Sequence, residues 1–189
     1  MTDDLSNKMK AFADMIEGRV VHDESRVQVC IKGTVLGFPA TYEAIGAGWP
    51  FGGNYFIETK VIDDPSHEPD AKSLKLTALP RVARGLMQFL ARLMLFEAKG
   101  QPVGDRRLEK AMIFSHNNRA EAERFTTYPG VYEHLMEINN YTKFTELLVK
   151  ADAGLWLAQS ENFRALTPDL FRETFNTLGA LGQNVFDAF

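Results

Sequence analysis

Hydrophobic positions along the chain change period several times, and each change marks an element. Leu5, Met9, Phe12 and Ile16 recur at helical spacing, which predicts an amphipathic helix over residues 3–17, closed by Gly18. From Arg19 to Ile62 the period drops to two. Val27, Val29 and Ile31 alternate with Gln28, Cys30 and Lys32; Tyr55, Ile57, Thr59 and Val61 alternate with Phe56, Glu58, Lys60 and Ile62. Between them "GFPATYEAIG" reads as a further strand. Pro39 should hold it at an edge or a bulge, since proline brings no N–H to a ladder. Consecutive strands tend to be neighbours, so this half is an antiparallel meander.

A polar, proline-bearing loop follows over residues 63–73, then the short strand "LKLTAL". Pro80 can open a helix from Arg81 to about Phe96 or Ala98, with Gly100 and Pro102 closing it. After a turn at Gly104–Asp105, "KAMIFS" (110–115) reads as a strand. Two short helices, "NNRAEAERF" and "PGVYEHLMEI", are separated at Pro129–Gly130, and "FTELLVKADAGLWLAQ" is a hairpin with Ala153–Gly154 near its tip. A last helix has Thr167 as its cap, Pro168 in first position and Asp169 favouring the dipole. Its buried stripe is Phe171, Phe175, Leu178, Gly182, Val185 and Phe189. The whole predicts one α+β domain over residues 1–189: an antiparallel sheet of about six to eight strands packed by three to four helices.

Charge alters this picture in one place. The 189 residues carry a net charge of −4, which argues against a general nucleic-acid binder. Residues 81–110 reverse the sign, with seven basic side chains against three acidic ones. A single cysteine, Cys30, allows no intrachain disulfide. Together with an acidic, polar N-terminus and no bilayer-length apolar run, it predicts a soluble cytoplasmic protein without a membrane span.

Candidate chemistry is sparse. The stretch "AIGAGWPFGGNYFIETKVI" (44–62) is glycine-rich, but a phosphate cradle needs a helix after its glycines and a strand follows here. "GAGWPFGG" before Lys60 has the outline of a kinase glycine loop with an extra residue, and no HRD or DFG sequence accompanies it. The loop is a turn between strands, with Trp49 and Phe51 either folded over the sheet end or touching a partner. "DDPSHEPD" lacks EF-hand spacing, and the four histidines (His22, His67, His116 and His134) form no zinc pattern, so neither metal nor cofactor is expected. Ser115, His116, Asn117 and Arg119 sit together at a strand-to-helix junction, where polar caps are needed anyway. Arg81, Arg84, Gln88 and Arg92 form one polar strip on an otherwise apolar helix.

No acid, base and nucleophile can be assembled from these residues, so the sequence leans away from an enzyme. It points to a binding or assembly module whose contact residues are Trp49, Phe51, Arg81, Arg84, Arg92, His116 and Arg119. The alternative is a small-molecule binder or enzyme with a cavity near Ser115, His116 and Arg119. A surplus of large apolar side chains, 14 Phe and 7 Met among them, predicts a homodimer closed over residues 86–96 and the Trp49–Phe51 turn, with a protein partner as a further possibility.

Overall fold

The computed structural model describes residues 2–21, 29–44, 53–59, 74–81, 100–159, 161 and 163–189. In chain order these form α1 (Thr2–Met15), β1 (Arg19–Val20), β2 (Val29–Val35), β3 (Phe38–Ala44), β4 (Gly53–Glu58) and β5 (Lys75–Pro80). Then come α2 (Arg106–Ala111), β6 (Met112–His116), α3 (Arg119–Thr126), α4 (Val131–Tyr141), β7 (Phe144–Lys150), β8 (Gly154–Gln159) and α5 (Pro168–Ala188). All eight strands join one antiparallel sheet in the order β1-β2-β3-β4-β8-β7-β5-β6. The α+β architecture is therefore the expected one, with the first four strands a meander. No described helix is long and apolar enough to cross a membrane.

Alternation along the strands decides which side chains meet the helices. Ile31, Tyr42, Tyr55, Ile57, Leu157, Leu147, Val149, Leu76, Ala78 and Phe114 are all buried and share one phase of the register. Phe12 of α1 and Phe171 and Phe175 of α5 pack onto this face. Phe12 stacks on Phe171 at 4.3 Å between ring centroids, Phe171 meets Tyr42 edge-on at 5.4 Å, and Phe175 meets Tyr55 at 5.0 Å. Such offset and edge contacts add to the area these rings remove from water. Burial pushes both tyrosine phenols well above their ordinary pKa.

The glycines of α5 allow the close approach expected of them. A Cβ on Gly179 would stand 2.8 Å from Val35 Cγ1, and one on Gly182 would stand 3.2 Å from both Ile57 and Thr59. Thr167 caps α5 by accepting the Leu170 N–H at 3.2 Å, with Pro168 in the first turn. The buried stripe ends earlier than its periodicity implies. Val185 and Ala188 are buried, whereas Phe189, expected inside, follows the last helical residue and is 43% exposed.

Other expectations are corrected. β3 is an interior strand, flanked by β2 and β4, in spite of Pro39. The β2–β3 turn at Leu36–Gly37 has positive φ at both residues, as tight hairpins require. Pro39 pairs with Thr34 one step beyond it, while β4 pairing starts only at Ala40, so the absent N–H leaves no gap in that second ladder. The first helix stops at Met15, and the left-handed residue after it is Glu17, not Gly18. Gly18 serves a different need: a Cβ there would strike the Lys32 carbonyl and Gly33 of β2. Lys110, expected in a strand, belongs to α2, a helix hidden behind the Gly104–Asp105 turn. Asp105 caps it by accepting the Arg107 and Leu108 N–H groups.

Candidate functional site

Among the described residues, α1 and α5 pack on one face of the sheet, and the other face remains to be accounted for. The residues of opposite phase line up in a row across seven strands: Lys32, Thr41, Phe56, Trp156, Leu148, Thr77 and Ser115, each a register partner of the next. At its centre the Phe56 and Trp156 rings lie 6.4 Å apart, tilted by 49°. These rings and Leu148 lie outside the hydrophobic core and are only half-buried. Together they floor a shallow groove of about 660 Å³. Strand β8 explains it: Leu155 and Leu157 face the helices while Trp156 faces away, so the strand is apolar on both sides.

Charged side chains stand on either side of the row. On one side Glu58 and Lys150 both pair with Gly154, and Lys75 lies directly opposite Lys150. Like charges directly across a ladder oppose each other. On the other side Glu43, Asn54, Ala158 and Glu146 follow in register. Burial pushes the Glu146 carboxyl above its ordinary pKa, with Lys75 pulling it partly back. Among the described residues, none of Lys32, Glu43, Glu58, Lys75, Glu146 and Lys150 belongs to an ion pair, although Lys143, Arg107, Arg119, Arg124 and Arg172 each have a carboxylate partner.

Of the residues singled out from sequence, Arg81, Ser115, His116 and Arg119 are among the described residues. Trp49, Phe51, Arg84 and Arg92 lie outside the described residues, as do His22, Lys60, His67 and the acidic loop. The ends of the glycine-rich stretch are informative: Ala44 and Gly53 are register partners, so residues 45–52 connect an antiparallel pair and no helix follows. Ser115 and His116 are strand neighbours and so point to opposite faces. His116 Nε2 lies 3.1 Å from the Pro102 carbonyl oxygen, and its backbone N–H donates to Gln101 Oε1 at 2.6 Å. Arg119 donates to Glu123 on the exposed side of α3 at 2.7 Å. Asn118 caps that helix, and Asn117 Oδ1 accepts the Lys75 N–H. These polar groups are accounted for by caps and turns, and neither cavity described for this molecule is lined by Ser115, His116 or Arg119.

Of the described sequence-selected residues Arg81 lines a cavity, on a different side of the sheet from the Phe56–Trp156 groove. Phe56, Trp156 and Leu148 were not selected from sequence. Their signal was the apolar content of both phases in β4, β7 and β8, which a search for one buried phase passes over. Cys30 is buried and in no disulfide, and its phase places it beside Glu43, away from the helices. Among the described residues no three His, Cys, Asp or Glu side chains gather to hold a metal ion. No known family model, characterised protein or solved structure is detectably similar to the chain.

Proposed function

We propose that the protein is a non-catalytic assembly module that pairs with a second copy of itself through the face carrying Phe56, Trp156 and Leu148. The observation that supports this reading is the charge and shape symmetry of that face about β8. β4 and β7 flank β8 on either side. A two-fold axis along β8 therefore sets Trp156 on its counterpart, Phe56 against Leu148, and Glu58 against Lys150. An isologous contact needs this self-complementarity, because one patch must serve both subunits. Two sheet faces stack about 10 Å apart in aligned sandwiches, a spacing that side chains of this size fill. The second subunit's Glu58 would also answer the Lys75–Lys150 opposition within each sheet.

Sedimentation equilibrium at micromolar concentration tests the reading. The expected mass is twice 21.3 kDa. Glu58→Lys should weaken the dimer and Lys150→Glu should do the same, while the double variant regains association. A monomer at these concentrations, or a dimer indifferent to both the charge swap and Trp156→Thr, would overturn it.

A further inference from the structure

Where the end of β5, α2 and β6 meet, a second cavity of about 390 Å³ opens. Its charged lining is Arg81, Arg106, Glu109 and Lys110, and Met112 and Phe114 supply an apolar wall. Arg106 and Lys110 are one turn apart on α2, so they rise from the same side of that helix. Arg81 comes from the strand end and is fixed in place. Its Nε and Nη2 both donate to the Glu109 carbonyl oxygen, at 3.1 and 2.7 Å. Those two bonds leave three of the five guanidinium N–H groups for another acceptor.

The charge balance in the cavity differs from that around the other described arginines in contact with a carboxylate. Arg107, Arg119, Arg124 and Arg172 each hold a carboxylate, the longest of these contacts being 3.7 Å. Arg81, Arg106 and Lys110 belong to no ion pair among the described residues. The one carboxylate in the cavity wall, Glu109, is engaged by the backbone: its Oε1 accepts the Val103 N–H at 2.9 Å. Among the described residues, three cations and one acid leave an excess of two positive charges around a concave space. The cavity brings together the two ends of the stretch, residues 81–110, in which the chain reverses its overall charge.

We propose that this cavity binds the phosphate group of a small, soluble phosphomonoester. A phosphomonoester carries about −1.5 to −2 charge at neutral pH, which matches the excess in the cavity. Its tetrahedral oxygens can accept from donors approaching along different directions, as a guanidinium held by β5 and two cations on α2 would. An arginine fork supplies directed hydrogen bonds, and a lysine supplies a point charge. The cavity is larger than a phosphate ion, so Met112 and Phe114 stand beside the carbon skeleton of the ester.

Calorimetric titration of the full chain with inorganic phosphate and with glycerol 3-phosphate, at constant ionic strength maintained with chloride, tests this. Saturable binding with one site per chain is expected, tighter for the ester than for inorganic phosphate. Removing one charge-assisted contact should weaken binding roughly 10-fold or more in Lys110→Ala and in Arg106→Ala. Both side chains are exposed, so the melting temperature of each variant should stay unchanged, and Arg172→Ala on α5 serves as the control that binds normally. A response no larger than that to added chloride would overturn the proposal. So would saturable binding that both cavity variants retain, or binding to phosphatidic acid vesicles without binding to either soluble ligand.

Discussion

The two faces of the sheet are built from the same strands and the same alternation, yet they are organised on different principles. On the helix side, apolar side chains interlock with α1 and α5, and Tyr42, Tyr55, Phe171 and Phe175 are completely or almost completely buried. On the other side the aromatic pair Phe56–Trp156 is half-buried and bordered by charges that belong to no ion pair among the described residues. The difference separates residues that hold the fold from residues that are free to do something else. Residues of the first kind should report on stability, and residues of the second kind on association.

The largest expected effect lies on the helix side. Phe171→Ala or Phe175→Ala should cost about 3–5 kcal/mol, the usual range for truncating a buried phenylalanine. Phe56→Ala on the other face should cost well under half of that when the monomer is measured by urea denaturation. Equal losses at Phe56 and Phe175 would erase the contrast between the faces.

Next in size is an intrusion. Gly53→Ala places a methyl group against the ring and hydroxyl of buried Tyr42, which the aromatic cluster holds in place. Overpacking of this kind costs about 1–3 kcal/mol. The expected result is a lower urea midpoint with an unchanged slope. A Gly53→Ala protein as stable as the original would show that Tyr42 can move, and that the inner face is looser than its packing indicates.

Smaller still is the cap on α2. Asp105→Ala removes the acceptor for two backbone N–H groups and should destabilise by about 1 kcal/mol. The hydrogen bond from Arg107, with those of the backbone, holds the Asp105 carboxyl below its ordinary pKa. Its contribution is therefore present above the unfolded-state pKa and is lost as pH falls through the lower, folded one. Comparing the acid limbs of the two denaturation profiles checks this: the variant should show the shallower loss.

The smallest effect concerns Glu146, and it has the opposite sign. Burial raises its folded pKa, so the folded chain holds the proton more tightly than the unfolded chain does. Stability from this group is greatest in acid and is lost as pH rises from the ordinary carboxylate pKa through the raised one. Glu146→Gln should flatten that part of the profile and match or exceed the original stability at neutral pH. A steeper profile in the variant would mean that Glu146 gains a cationic partner when ionised, which fits a surface already satisfied within one subunit.

Much of this architecture is legible along the chain because local rules govern it. The period of two from Val29 to Ile57 identifies β2, β3 and β4, and the capping sequence at Thr167–Pro168–Asp169 identifies the start of α5. Short-range sterics and hydrogen bonding decide both, whatever surrounds them. The meander follows for a related reason, since strands close in sequence pair at little entropic cost, as β2 and β3 do across the Leu36–Gly37 turn. The helix α2 escapes a periodicity search because six residues hold one buried side chain, Leu108, too few to show a period.

Tertiary structure alone decided the rest. Pro39 is tolerated in an interior strand only because β4 pairing begins one residue later, a matter of register between distant segments. Gly18 is required by its contact with Gly33, not by the end of its own helix. Ser115, His116 and Arg119 look like a cluster in one dimension, and the strand's pleat and the turn into α3 send them apart. Leu148 and Trp156 are hairpin partners, but Phe56 is far from both in sequence and joins them through the insertion of β8 between β4 and β7. Alternation states that a side chain has a face. Which face meets the helices, and which carries Phe56, Trp156 and the charges around them, depends on the order in which strands assemble, and that order is set by long-range packing.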